Sequence, residues 1–221
     1  MDFTLVLIPL ISLLSLLLGI TVHEFSHAWS ADLLGDSTAR YQGRLTLNPI
    51  AHLDPIGALM ILVSTLTGFG FGWGKPVPVN PLRLRFGPRL GMAITSFAGP
   101  LANIVLATLV GAPLRVTGAL PRLVFITLFT IARTNVALAV FNLLPLHPLD
   151  GFSVLRGALS TIRAPWAYEA GGVMDRMVSL GPIIFMGVLF LDQALPGRGI
   201  LWTVLWPPYR LLMWLVTGIR V

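Results

Sequence analysis

Two histidines and a glutamate near the end of the first apolar segment could bind a metal ion and use it. In the run His23-Glu24-Phe25-Ser26-His27 the histidines are four residues apart, so on a helix they lie on one face, offset by about 40°. Two imidazoles at this spacing can bind one zinc ion. Glu24 lies about 100° round the helix, where a carboxylate can reach a water molecule at the metal without binding the metal. The pattern predicts a zinc site of the hydrolytic kind.

The membrane setting of the motif supports this interpretation. Leu5–Val22 contains no charged residue, and at about 1.5 Å per residue it is nearly long enough to cross a bilayer. The same spacing of two histidines and a glutamate occurs by chance on soluble helices. In a membrane segment, however, ionisable groups are costly and usually functional.

The composition indicates an integral membrane protein. Apolar residues make up 55% of the 221 residues, charged residues 11%, and the mean hydropathy is +0.83, whereas about a quarter of a soluble domain is charged. No cysteine is present, which excludes a thiolate metal site. The net charge of +6 comes from residues scattered between apolar segments, so no nucleic acid is expected as a partner. We expect one membrane domain over residues 1–221, with the lipid bilayer around it.

The apolar segments predict an all-α polytopic membrane protein. Beyond Leu5–Val22, which should continue as helix to Ala31, they are Gly91–Pro113, Leu123–Leu144, Met177–Leu191 and Ile200–Gly218. Between the first two long segments, 44–47 and 77–79 resemble short strands, the second an edge strand because it contains proline. We expect these extended pieces to form a small membrane-associated sheet beside the metal.

The short apolar segment Ile56–Thr67 decides the topology. With 12 residues it is too short to cross comfortably, and if it re-enters the same face, ten basic residues share one side against three on the other. The ten are Arg40, Arg44, Lys75, Arg83, Arg85, Arg89, Arg156, Arg163, Arg176 and Arg220; the three are Arg115, Arg122 and Arg198. The positive-inside rule favours this arrangement, with the N-terminus outside and the ten-residue side cytoplasmic.

A catalytic zinc ion needs a third protein ligand and a position open to water. Asp150 is the leading candidate, because in the re-entrant topology the ends of the segments that precede His27 and Asp150 lie at the same face. Asp54 is an alternative third ligand, and His147, close to Asp150 in the chain, is another. His52 could approach the metal, but a capped turn formed with Asp54 is the simpler interpretation.

Several motifs together resemble the site-2 protease family of intramembrane zinc metalloproteases. They are HEFSH at 23–27, AGPLAN at 98–103 and NLLPLHPLDG at 142–151. The runs GRLTLNP at 43–49 and KPVPVNP at 75–81 resemble the compact bacterial and archaeal branch, without a PDZ or CBS domain. The resemblance covers about residues 5–157, which implies a three-helix catalytic core there and an accessory helical hairpin over about 177–219.

The resemblance implies roles for individual residues. His23, His27 and Asp150 would bind one Zn²⁺ per chain, Glu24 would act as general base on the zinc-bound water, and Asn142 would polarise the scissile carbonyl or stabilise the oxyanion. The substrates would be transmembrane proteins or signal-peptide remnants, cut in or near the membrane. We expect the active site toward the cytoplasmic side of the cell membrane.

Two other functions remain open from the residues alone. Paired histidines and carboxylates in a helical bundle can relay protons or metals in a transporter, and a zinc-binding protein can be a scaffold without catalysis. The intact Glu24 argues against the scaffold, and the sequence shows no inverted repeat of the kind common in transporters. The oligomeric state is not predicted.

Overall fold

The computed structural model describes residues 4–67, 73–116, 120–194 and 199–220. Within these ranges the chain forms nine α-helices and two short 3₁₀ turns, Pro49–His52 and Pro81–Arg83. The helices are α1 (Thr4–Leu33), α2 (Thr38–Tyr41), α3 (Pro55–Thr67), α4 (Gly87–Val116), α5 (Arg122–Asn142), α6 (Asp150–Thr161), α7 (Pro165–Met177), α8 (Gly181–Ala194) and α9 (Ile200–Thr217).

Among the described residues, three helices are long and apolar enough to cross a membrane. They are α1, α4 and α5, and they match the first three predicted spans. The helices α7 and α8 together would make a fourth span, but they are bent by 82° at their junction. The predicted segment Met177–Leu191 is therefore not one straight helix, since α7 ends at Met177 and α8 begins at Gly181. The connection within the predicted accessory hairpin, at Pro196-Gly197, lies outside the described residues.

Hydroxyl side chains in α1 find partners inside the helix. Ser15, Thr21 and Ser26 donate hydrogen bonds to the carbonyls of Ile11, Leu17 and Val22, each four residues earlier, at 2.6–2.7 Å. These bonds satisfy polar groups that lipid could not solvate. The helix can therefore carry polar residues up to His23 and His27 and still remain in an apolar environment.

The helix α4 is the centre of the bundle, packing against α1, α5, α6 and α9. Small side chains allow this close packing, as is common between membrane helices. One buried cluster joins α4, α5 and α9 through Ala107, Ala132, Val136, Val140, Met213 and Val216. The three long helices and α9 thus form one framework, and α6 packs against its central helix.

The prediction of short strands was wrong for the described part of the chain, which contains no sheet. Segments 44–47 and 77–79 are irregular, and the nearest pairing is an isolated antiparallel bridge between Leu53 and Gly74. Prolines at 76, 78 and 81 remove donors that a ladder would need. The buried Arg44 guanidinium donates instead to the carbonyls of Ala51, Lys75 and Pro76.

A buried carboxylate fixes the same region to the end of α1. Asp36 is fully buried; its Oδ1 accepts hydrogen bonds from the backbone and hydroxyl of Thr38, and its Oδ2 accepts from the Asn80 backbone at 2.6 Å. Segment 73–80 is therefore fixed at one end by Asp36 and at the other by Arg44. This placement matters because the segment lies against the candidate site.

Candidate metal centre

Three side chains predicted as metal ligands come together beside the C-terminal third of α1. The Nε2 atoms of His23 and His27 lie 3.1 and 3.3 Å from Oδ2 of Asp150. One donor atom from each residue lies within 4.8 Å of the others. It is the one such group of histidine and carboxylate donors among the described residues.

Two local structures bring these donors together. One turn of α1 stacks the imidazoles, whose ring centroids are 4.5 Å apart and whose planes are perpendicular. Asp150 is the first residue of α6, which follows α5 after the turn 143–149. That turn folds back so closely that a Cβ at residue 151 would overlap the Leu143 carbonyl, so the tight return requires Gly151.

The far nitrogens of both histidines are held by acceptors. His23 Nδ1 lies 2.6 Å from Asn103 Oδ1, and His27 Nδ1 lies 2.8 Å from the Thr95 carbonyl. A carbonyl can only accept, so His27 carries its proton on Nδ1. The Asn103 orientation is fixed too, because its Nδ2 donates to the Gly19 carbonyl at 3.0 Å and to Asn135 Oδ1 at 2.8 Å. Both Nε2 atoms therefore present lone pairs toward Asp150.

The arrangement fits a cation. Oδ2 of Asp150 is buried and has no hydrogen-bond partner, although two imidazole lone pairs face it. Burial raises the pKa of the Asp150 carboxyl, but a positive charge on His27 and hydrogen bonds donated by protonated His23 and His27 outweigh burial and lower it to about 2. The carboxylate is therefore stabilised by positive charge at this place. With neutral imidazoles, three electron-rich atoms in one buried place repel one another unless a cation, either a proton or a metal ion, lies between them. Two imidazoles and a carboxylate are a donor set that zinc accepts.

A glycine on α4 makes room for the imidazoles. A Cβ at Gly99 would lie 2.5 Å from His27 Nε2 and 2.8 Å from His23 Cε1, too close for any real contact. The α4 backbone therefore passes directly beside the edges of both rings, which only glycine permits.

Glu24 contacts the irregular segment 73–80. Its Oε2 accepts a hydrogen bond from the Val77 backbone at 3.2 Å, and a Cβ at Gly74 would lie 3.9 Å from its Oε1. The side chain is half-buried. Segment 73–80 thus lies beside the candidate base, as expected, although it does so without forming a sheet.

Asn142 is the last residue of α5. Its Nδ2 donates to the Leu138 carbonyl of the same helix at 2.9 Å, and the side chain is half-buried. One amide hydrogen is therefore used within the helix.

The alternative ligands have other partners. Oδ1 of Asp54 accepts from the backbones of Ile56 and Gly57 at 3.0 and 2.9 Å, which caps α3. The buried His52 contacts the Thr46 carbonyl through Nε2 at 2.7 Å. His147 packs edge-on against Phe152, and burial lowers the pKa of His147. None of the three contributes to the donor group.

The contact between Asn103 and His23 was not predicted from the sequence, where Asn103 appears only as part of the AGPLAN motif. The signal was an asparagine within the apolar segment 91–113, whose buried amide must find partners. The acceptor of His27 could not be found in this way, because it is the backbone carbonyl of Thr95 and any residue type supplies one.

Replacing Asn103 with leucine should weaken zinc binding about 10- to 100-fold, because His23 loses the acceptor that orients its ring. Competition with a fluorescent chelator on purified protein would measure this. Thr108→Val on the same helix is the control, since that exposed hydroxyl bonds only the Ile104 carbonyl of its own helix. Equal zinc affinity in both variants would contradict the role given to Asn103.

Comparisons with known proteins identify the family. The model of peptidase family M50 matches residues 110–180. The Bacillus subtilis protein named "Putative zinc metalloprotease YwhC" is 38% identical over 202 residues, which cover 87% of this chain and 84% of that protein. The chain belongs to peptidase family M50. The predicted resemblance to site-2 proteases is thereby confirmed.

Further relatives are matched over a smaller share of their own length. "Putative zinc metalloprotease Rip2" of Mycolicibacterium smegmatis is 33% identical over 147 residues, covering 65% of this chain and 55% of that protein. Rip2 of Mycobacterium tuberculosis H37Rv is 29% identical over 185 residues, covering 82% and 66%. No solved structure matches the chain significantly. Family and apolar helices together make this a membrane protein of a zinc metalloprotease family.

Proposed function

We propose that this M50 member is an intramembrane zinc metalloprotease that hydrolyses peptide bonds in or near transmembrane segments of other membrane proteins, including signal-peptide remnants. The observation that carries the proposal is the group His23, His27 and Asp150 at the end of a spanning helix, with the base Glu24 on the same helix turn. The peptidase domain would be the single domain 1–221, with its catalytic core over about 5–157.

His23, His27 and Asp150 would hold one zinc ion per chain. Zinc supplies Lewis-acid polarisation of the scissile carbonyl and of water. Asn103 and the Thr95 carbonyl keep the two imidazoles in the tautomer that presents Nε2. Because these partners are fixed before substrate arrives, the donors need no rearrangement to bind the metal.

Glu24 would take the proton of the attacking water and pass it to the leaving nitrogen. Val77 N–H holds one carboxylate oxygen at 3.2 Å, so the other oxygen is the one free to accept a proton. The segment that carries Val77 is itself fixed by Arg44 and by Asp36. These contacts orient the carboxylate.

Asn142 would support the carbonyl oxygen as negative charge develops on it. A side-chain amide has two N–H groups, and only one of those of Asn142 is used by the Leu138 carbonyl. The second can donate to the substrate, the role that an amide donor has in an oxyanion hole.

The active site would face the cytoplasm. The irregular segments beside Glu24 carry Lys75, Arg83 and Arg85, which the positive-inside rule assigns to that side. Their backbone cannot face lipid unpaired, so they would also border the water that hydrolysis consumes.

Metal analysis of the purified protein tests the proposal. We expect about one zinc per chain, loss of cleavage of a labelled transmembrane peptide after chelation, and recovery when zinc returns. A magnesium addition in place of zinc is the control, because magnesium prefers oxygen donors. Cleavage that persists in zinc-free protein would remove the metal from the proposed reaction.

A further inference from the structure

A large groove runs between α1, α5 and α9. Its volume is about 770 Å³, and its lining is mostly apolar, with Leu16 from α1, Leu138 and Phe141 from α5, and Leu205 from α9. α1 also carries His23 and His27, and α5 ends at Asn142. Two helices that carry the proposed machinery therefore form walls of the groove.

One wall of the groove is a ladder of aromatic rings on α9. The ring centroids of Trp202 and Trp206 are 4.7 Å apart, those of Trp206 and Tyr209 are 5.7 Å apart, and both pairs are stacked. Their spacing of four and three residues places them on one face of the helix, and all three line the groove. Such a wall offers a broad apolar surface with polar ring edges, which suits a peptide helix.

Arg133 is the charged residue among those that line the groove. It is the twelfth of the 21 residues of α5, so it lies about 16 Å along the axis from Arg122 and about 13 Å from Asn142. The side chain is exposed, and no carboxylate of the described residues forms an ion pair with it. A cation at this depth in a spanning helix is costly and points to a partner that binds there.

We propose that the groove binds the substrate's transmembrane segment and that Arg133 selects segments carrying a carboxylate. The inference rests on the proposed function, since it names the substrate class of that site. The apolar walls match an apolar helix, and the one uncompensated cation matches one acidic side chain. Arginine suits this role because its planar group binds a carboxylate through two parallel hydrogen bonds.

The geometry also predicts how far the substrate's carboxylate lies from its scissile bond. Leu16 lines the groove seven residues before His23, which is about 10 Å along α1. Gly19 of α1 lies against Asn135 and Leu138 of α5, which puts Leu16 roughly level with Arg133. Reckoned from Leu16 to His23 or from Arg133 to Asn142, a carboxylate at Arg133 would lie about seven to nine residues from the scissile bond if the substrate stays helical between them. An extended path of the same length needs about three to four residues.

The test uses the full-length Glu24→Gln protein in phosphatidylcholine nanodiscs, so that binding is measured without turnover. The chain has no cysteine, and a dye on one introduced cysteine, Thr161→Cys, reports energy transfer from labelled peptides. Two apolar 20-residue peptides differ only by Asp or Asn at one central position. We expect the Asp peptide to bind about tenfold more tightly or better, the strength of a hydrogen bond to a charged group.

Three variants decide the assignment. Arg133→Gln should remove the Asp preference, and Arg133→Glu should favour a matching Lys peptide. Arg210→Gln, which removes a charge from α9 outside the groove lining, should keep the Asp preference. An Asp preference that survives Arg133→Gln overturns the proposal, as does equal binding of both peptides to the parent protein.

An anionic lipid is the competing occupant of the groove. Loss of the Asp preference when half the lipid is phosphatidylglycerol would assign Arg133 to lipid headgroups and overturn the inference. The test distinguishes failure of the proposed binding from failure of the proposed hydrolysis. Selective binding of the Asp peptide without cleavage by the protein that retains Glu24 would refute only the proposed reaction. Cleavage with no difference between the Asp and Asn peptides would refute only the role of Arg133.

Discussion

Replacing Glu24 with glutamine should lower the cleavage rate about 10²- to 10⁴-fold, the usual contribution of a general base, while zinc content stays at one per chain. Glutamine has nearly the same shape and can still accept the Val77 hydrogen bond with its amide oxygen. What it cannot do is take a proton from water. Single-turnover cleavage of a labelled transmembrane peptide, with zinc analysis of the same sample, measures both quantities.

The matched control is Glu169→Gln. Glu169 is the other glutamate of the chain and is exposed on α7, so its loss changes the net charge equally without touching the site. Cleavage by Glu169→Gln should equal that of the parent protein. If Glu24→Gln cleaves as fast as Glu169→Gln, Glu24 has no part in the reaction. If Glu24→Gln loses zinc as well as cleavage, its role is to hold the site together.

Replacing Asp150 with alanine should weaken zinc binding by more than about 100-fold, since loss of a direct ligand should exceed the loss caused by an outer partner. Cleavage should fall with it. The physical reason is the buried Oδ2, which faces both imidazoles and has no other partner. Isothermal titration with zinc on the metal-free protein measures the affinity, and circular dichroism checks that the helices remain.

Asp54→Ala is the control, because Asp54 was the alternative third ligand. It caps α3, so its removal should cost about 1 kcal/mol of stability and leave zinc affinity unchanged. Asp150→Asn keeps the side-chain volume and should also bind zinc weakly, which separates the charge from the packing. Strong zinc binding by both Asp150 variants, with loss in Asp54→Ala, would move the third ligand to α3.

Much of the fold followed from hydropathy, because lipid requires long uninterrupted apolar helices. This is why α1, α4 and α5 could be predicted closely, and why α3 could be recognised as too short to span. The irregular segments could not be predicted in the same way. Alternating residues at 44–47 suggested a strand, but the buried Arg44 side chain satisfies the carbonyls that a neighbouring strand would have bound.

Part of the candidate site could likewise be predicted from the sequence, and part could not. The spacing of His23 and His27 is a property of one helix, so local sequence predicts it. The prediction that Asp150 lies beside the histidines required the membrane topology, which was inferred from the distribution of basic residues. The contacts of Gly99 and Thr95 depend on how closely α4 approaches α1, and a distance between two helices has no pattern in the sequence of either one.

The close passage of α4 at Gly99 has a consequence for the route of a peptide to the metal donors. Main chain occupies the space beside both imidazole edges, and it cannot swing aside as a side chain does. One side of the donor group is therefore a fixed wall, and in the proposed reaction both the intact peptide and its fragments would have to pass on the sides that α4 leaves open.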